Sequence, residues 1–450
     1  MSVAEAAGTG PIGRPARTSG LCGVRAVYRV ERRKLTSQLA IRLLALVCAL
    51  GPFLFAAILK IQSGSPIDTL YGVWSHSSGF ALSLLVLAFA GSWGLPVVVG
   101  IVAGDIFSAE DRYGTWKLVL TRSCTRRELF AGKLLAAATF SLALLALTAV
   151  ASLLAGVLLV GGQSLVSLGG TLFSPGKSLG LVVLSWLLTA FPALAFASLA
   201  VLLSIATRNG IIGVVGPGLA ALAMQLLLLV GAGVWMHMLL VGSAFGTWHA
   251  LFTTHRFYGP LIIGIVVSLV WTALCASAAW RILCRRDFAG TPVTRRQGWL
   301  PALRVAVALG GVIALLAIAG NWGPVGVTSA RLKASLIPTF NNLTLLQQRQ
   351  LGRPVAPGAK LNIVLPTCSR RGSTPTGAGD WVCTLNVLIP AQGSLPPEPT
   401  AVTYDVSVQS DGCYKAQSPP AFIGQQLMRD AQGNNVVNPL YTIYGCFNPL

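Results

Sequence analysis

Two periodicities divide this chain. Up to about residue 321, long apolar runs alternate with short connectors; beyond it, apolar residues recur at every second position. The apolar runs fall at about 41–59, 80–104, 134–160, 179–205, 211–234, 259–281 and 304–321. Each approaches the roughly 20 residues a helix needs to cross the hydrocarbon core. The first starts too late, and lacks the small-residue cleavage site, for a removable signal peptide. Upstream, "VRAVYRVERRKLTSQL" places Val24, Val27, Val30 and Leu35 near one helical face and Arg25, Arg29, Arg32 and Arg33 largely elsewhere. That pattern predicts a basic amphipathic helix over 23–38, lying on the membrane. Residues 1–22, rich in Gly, Pro, Ala and Arg, are expected to be disordered.

Several apolar runs carry helix breakers: Pro52, Pro96, Pro192 and the "GPG" at 216–218. In lipid, freed backbone groups must be covered by neighbouring helices or water, so such breaks belong at packed or cavity-lining positions. Pro96, Pro217 and Gln225 are therefore candidates for a substrate path. Gln225, the most polar residue well inside the fifth run, either lines that path or bonds a neighbouring helix. Gly100 and Gly104 form a GxxxG pair that favours close helix packing.

After about residue 328 the alternation shortens. "AVTYDVSV" sets Val402, Tyr404, Val406 and Val408 against Thr403, Asp405 and Ser407, and "WVCTLNVLI" sets Trp381, Cys383, Leu385, Val387 and Ile389 on one face. "KLNIVLP" and "LYTIYGCF" predict two more strands, "SLPPEPT" and "SDG" mark turns, and a helix is expected near 421–431. The fold class is thus an all-α polytopic membrane domain of six spans plus a seventh, followed by a small, mostly β domain.

Composition and charge turn this pattern into a topology. The 450 residues are 54% hydrophobic with only 10% charged, and the net charge is +20; the mean hydropathy is +0.70. These values describe a polytopic membrane protein. The stretch before the first run and the second, fourth and sixth connectors hold 21 Lys and Arg, while the first, third and fifth hold only Lys60, Lys177 and Arg256. Such alternation follows the positive-inside rule and places the N-terminus in the cytoplasm. The basic clusters flank the membrane, where anionic lipid attracts them, so the charge does not indicate nucleic acid. Seven spans then put residues 326–450 outside, beyond a cytoplasmic linker and seventh span at 291–325. Four cysteines, Cys368, Cys383, Cys413 and Cys446, all lie in that terminal domain. In an oxidising compartment they imply two disulfides, with three possible pairings.

Covalent chemistry is hard to place. "GTLFSPGKS" (170–178) has one residue too many between its glycines for a P-loop and follows no strand, and "LVGGQ" (159–163) sits at a span's outer end. There is no GxSxG, and His237, His249 and His255 are spaced wrongly for a familiar metal set. They read as interfacial histidines within "WMHMLLVGSAFGTWHALFTTHRFYG" (235–259), an apolar connector expected to form two short half-buried helices in the outer leaflet. No catalytic residue, metal or cofactor is assigned to the chain.

The second connector, "AEDRYGTWKLVLTRSCTRRELFAGK" (109–133), concentrates charge in an otherwise apolar region. Span two can run on into the cytoplasm, with Phe107, Trp116, Leu118 and Val119 as apolar contacts and Gly114 as a break. "TRRE" (125–128) is a capping box in which Thr125 caps the helix and Glu128 reaches back. This is a rigid projection joined to two spans.

The same run resembles the bacterial ABC-2-type permease pattern. The matching residues are Glu110, Gly114-Thr115, "WKLVL", Arg127-Glu128 and Gly132-Lys133; "RSC" (122–124) stands where that family usually has a proline. The amphipathic helix, the apolar connector before span six and "CRRD" (284–287) extend the likeness over roughly 24–290. It covers the six-span domain at 39–290, and the seventh span and terminal domain are additions. The resemblance implies a dimeric transport subunit in the bacterial plasma membrane, powered by two separate ATP-binding subunits that hold the ATP and Mg. The connector would be the coupling helix, with Glu110, Arg112, Gly114, Thr115 and Trp116 at the ATPase and Arg126 and Arg127 nearby. The path would run between protomers along spans one, two and five. The expected function is outward transport of a lipophilic or amphipathic substrate, with the terminal domain handling substrate or docking a partner. The alternative is a membrane-anchored binding or assembly protein without transport activity.

Overall fold

The computed structural model describes residues 20–62, 66, 68–116, 125–229, 234–286, 311, 326–355, 362–389 and 398–450. Among the described residues, six helices are long and apolar enough to cross a membrane: spans one (Leu39–Ile61), two (Gly79–Arg112), three (Arg126–Leu159), four (Pro175–Thr207), five (Gly210–Leu229) and six (Gly259–Arg285). The expected seventh span lies outside the described residues, apart from residue 311. Leu118 and Val119 of the connector lie outside them too.

An amphipathic helix, Gly20–Ser37, precedes span one and begins inside the stretch expected to be disordered. Its buried positions are Gly23, Val27, Glu31 and Leu35, four apart, while Val30 is exposed. The stripe packed against the rest of the protein thus includes an acid, Glu31. The stripe lies on span three, where a side chain at Gly132 would collide with Val27.

Spans two and five meet backbone to backbone. A Cβ at Gly104 would lie 2.3 Å from the Gly213 backbone, and one at Gly100 would lie 2.4 Å from the Val214 carbonyl oxygen. Only hydrogen at these positions lets the backbones meet. Pro217 is buried at the same crossing, beside Gly100. Pro96 is buried where span two resumes α-helical winding after a π turn at Ala90–Gly94. That turn leaves Ser92 bonding back to the Ala88 carbonyl at 2.7 Å.

On the side opposite the basic connectors, a short hairpin of β1 (Leu165–Val166) and β2 (Leu172–Phe173) lies between spans three and four. Between spans five and six stand a short helix, Val234–Leu239, and a 3-10 helix, Ser243–Phe252. The latter buries Phe245, Trp248 and Phe252, matching the half-buried pair expected there.

The terminal domain is a five-stranded antiparallel sheet, ordered β3 (Asn362–Arg370), β4 (Gly379–Ile389), β5 (Glu398–Val408), β6 (Cys413–Gln417) and β9 (Thr442–Cys446). Trp381, Cys383, Leu385 and Val387 of β4 and Val402, Tyr404, Val406 and Val408 of β5 are buried, as their alternation requires. A helix that the sequence pattern does not announce, Ser329–Gln350, covers this face with Leu332, Leu336, Phe340, Leu343 and Leu346. The helix expected near 421–431 is instead the single turn Pro420–Ile423, followed by the hairpin β7 (Leu427–Arg429) and β8 (Asn435–Val437). Gly424 and Gly433, both at positive φ, end the helix and close the turn. Cys368 pairs with Cys383 and Cys413 with Cys446, each across neighbouring strands.

This domain rests on the first, third and fifth connectors. Lys415 pairs with Asp68 at 2.5 Å, Asn342 donates to the Gly169 carbonyl at 2.7 Å, and Ser410 meets His237 Nδ1 at 3.0 Å.

Candidate functional site

The connector end is organised around one buried cation. Lys133, near the start of span three, is fully buried. Its Nζ reaches Glu31 Oε1 at 2.6 Å, the Ile106 carbonyl at 2.9 Å and Glu110 Oε1 at 3.1 Å. Lys34 adds a second cation on Glu110 at 3.0 Å, and Thr115 donates to the other carboxylate oxygen. Amphipathic helix, span two and span three thus share one ion-paired knot. Removing one partner from such a buried set strands another charge, which costs about 3–5 kcal/mol.

Span two ends at Arg112, and the chain turns through Tyr113, Gly114 and Thr115. Gly114 adopts φ +64, the left-handed region that stops the helix at the expected break. Trp116 folds back, stacking on Phe107 with centroids 6.5 Å apart and donating its indole N–H to Asp111 Oδ1 at 2.9 Å. Arg286, just past span six, pairs with the same Asp111 carboxylate and lies over the Trp116 ring. Arg126 donates to the Cys284 carbonyl at 2.8 Å. The "CRRD" segment thereby ties span six to the connector.

Span three begins where its sequence signal lies. Thr125 accepts the Glu128 N–H, and Glu128 Oε2 accepts the Thr125 N–H at 2.8 Å, closing the capping box. Of the connector positions singled out from sequence, Glu110 and Trp116 turn inward, Thr115 is half-buried, and Arg112, Gly114, Arg126 and Arg127 are exposed. Arg112 is braced by Asp105 at 2.8 Å and lies over the exposed Tyr113 ring. Two residues of the knot, Glu31 and Lys34, are not among the positions that the sequence pattern singles out, whereas Lys133 belongs to the Gly132-Lys133 pair. Glu31 nonetheless carries a signal, as the single acid in a basic helix.

At the other end, Gln225 lines a cavity of about 450 Å³ shared with Ser92, the hairpin before span six and the terminal domain. Two histidines stand here at the domain contact. His237 Nε2 lies 4.0 Å from Asp411 Oδ2. His249 packs edge-on against Trp248 and lies 3.9 Å from Cys413 Sγ. Burial pushes both imidazoles below their ordinary pKa, His249 to about 4, although Asp411 opposes the shift. His249, Asp411 and Cys413 converge closely enough to suggest a metal set, but the Cys413 sulfur is committed to Cys446.

Residues 28–216 match the family model described as ABC-2 family transporter protein. No curated protein matches the chain.

Proposed function

We propose, on the match of residues 28–216 to the ABC-2 family transporter model, that this chain is a permease subunit that exports a lipophilic or amphipathic substrate using ATP hydrolysed by a separate partner chain. Two ATP-binding subunits serve a pair of permease chains. The basic connectors face the cytoplasm and the disulfide-bonded domain faces outward. The chain itself carries out no covalent step.

The observation that carries this reading is the ion-paired knot of Glu31, Lys34, Glu110 and Lys133, with the exposed Arg112–Gly114 turn beside it. Force on that turn enters spans two and three together, because the knot lets neither helix slip past the other. Span two passes the motion to span five through the Gly104–Gly213 contact. In this arrangement Arg112, Tyr113 and Gly114 touch the ATPase, Thr115, Arg126 and Arg127 flank the contact, and Glu110 and Trp116 position it from within. Pro96 and Pro217 shape the packed part of the path, and Gln225 lines its outer end.

Affinity purification in mild detergent tests the reading. An ATP-binding subunit is expected to accompany the native chain and to be lost from a folded Arg112→Glu/Tyr113→Ala variant. No ATPase with either chain would leave the anchored binding protein as the better account.

A further inference from the structure

The turn joining β5 to β6 overhangs the membrane domain, and the cavity beneath it is built by both. Gln225 and Ser92 come from spans five and two, Trp248 and His249 from the exterior hairpin, and Ser407 and Asp411 from the terminal domain. The added domain therefore completes this space. Its volume, about 450 Å³, lies within the range of small-molecule sites.

The lining is selective in charge. No lysine or arginine borders the cavity among the described residues, and Asp411 is its one carboxylate. Asp411 Oδ1 is used by the turn, accepting the Cys413 N–H at 2.8 Å, and Oδ2 faces His237. Burial holds both histidines toward the neutral form, so they supply polarity without positive charge. The Trp248 indole is almost fully buried, yet its N–H has no acceptor among the described residues. A buried donor left unpaired is costly, and a ligand acceptor would satisfy it.

We infer that this cavity is a binding site for a cationic amphiphile: Asp411 meets the positive group, Trp248 and Gln225 offer donors to an acceptor, and the apolar part lies on the hairpin aromatics. The inference deepens the permease reading and rests on it in treating the bound molecule as cargo.

The test is fluorescence anisotropy on the full chain in lipid nanodiscs. The probe is rhodamine 6G, a cationic dye bearing an ester carbonyl, compared with anionic fluorescein ethyl ester of similar shape. Asp411→Asn keeps an oxygen for the Cys413 N–H while removing the charge. Ser407→Trp, at an exposed strand position, fills the cavity from above; thermal unfolding checks that both variants remain folded. Saturable rhodamine binding is expected, weakened about tenfold by Asp411→Asn, abolished by Ser407→Trp and absent for the anionic dye. Wild-type affinity in Asp411→Asn, persistence in Ser407→Trp, equal binding of both dyes or simple partitioning would each overturn the inference. No ATPase takes part, so this result and that of the copurification fail independently.

Discussion

The two ends of the membrane domain solve opposite problems. At the connector end, opposite charges lie at hydrogen-bond distance around a fully buried Lys133. At the other end, the lining among the described residues is hydroxyls, two amides, aromatic rings and histidines, with Asp411 as its one carboxylate. A charge knot permits one arrangement, because any displacement strands a buried ion. The outer cavity imposes no such single arrangement, because its hydroxyl and amide partners are weaker and adaptable and Asp411 alone sets its preference for charge.

The sharpest way to break this comparison is to remove the knot. Lys133→Met leaves Glu31 and Glu110 facing each other without their shared cation, and should cost about 3–5 kcal/mol of stability. Thermal unfolding in detergent reads the loss. A midpoint unchanged from the native chain would show that the ion pairs are incidental.

Next in size is the terminal domain's dependence on its staples. Opening Cys413–Cys446, whose cysteines are 33 residues apart, should destabilise that domain by about 3–4 kcal/mol. Proteolysis of a Cys413→Ser/Cys446→Ser variant should cut residues 326–450 while sparing the spans. Equal protease resistance would count against the disulfide's role.

A smaller effect should follow pH at the outer end. His237 and His249 titrate below their ordinary value of about 6.5 when the domain is docked. Undocked, they take up protons more readily, so docking is favoured above pH 6.5. It weakens as pH falls from there toward about 4 for His249. The slope is at most about 1.4 kcal/mol per pH unit for each histidine. The exchange protection factor of the Ser243–Phe252 helix, which is the rate corrected for the intrinsic pH dependence of amide exchange, should fall on acidification, and substituting both histidines with Gln should flatten that fall. A protection factor independent of pH in the native chain would contradict this.

The smallest effect belongs to Lys415 and Asp68, an exposed pair. Lys415→Ala should change unfolding by no more than about 1 kcal/mol; a larger loss would make this contact a principal anchor of the domain.

Features written in local sequence are legible from the residues alone. The "TRRE" box gives the start of span three, Gly114 gives the end of span two, and alternation in "WVCTLNVLI" and "AVTYDVSV" gives β4, β5 and their buried faces. Features that depend on distant partners are hidden. Glu31 sits in the packed stripe of the amphipathic helix because Lys133, 102 residues away, pairs with it. The Ser329–Gln350 helix escapes notice because Pro338 interrupts it and its apolar stripe sits among polar residues. Asp411 reads only as a turn residue, since its neighbours His237 and His249 come from another connector. Glu110 shows both sides: its motif is visible, while its inward orientation depends on Lys34 and Lys133.

The central claim is that force enters at the exposed turn after span two. A photo-crosslinking amino acid placed at Tyr113, which is 70% exposed, tests it directly in intact cells. The account predicts a covalent adduct with a chain that binds ATP, and no such adduct from the same probe at Ser407 on the outer domain. An ATP-binding adduct from Ser407, or none from Tyr113, would contradict it.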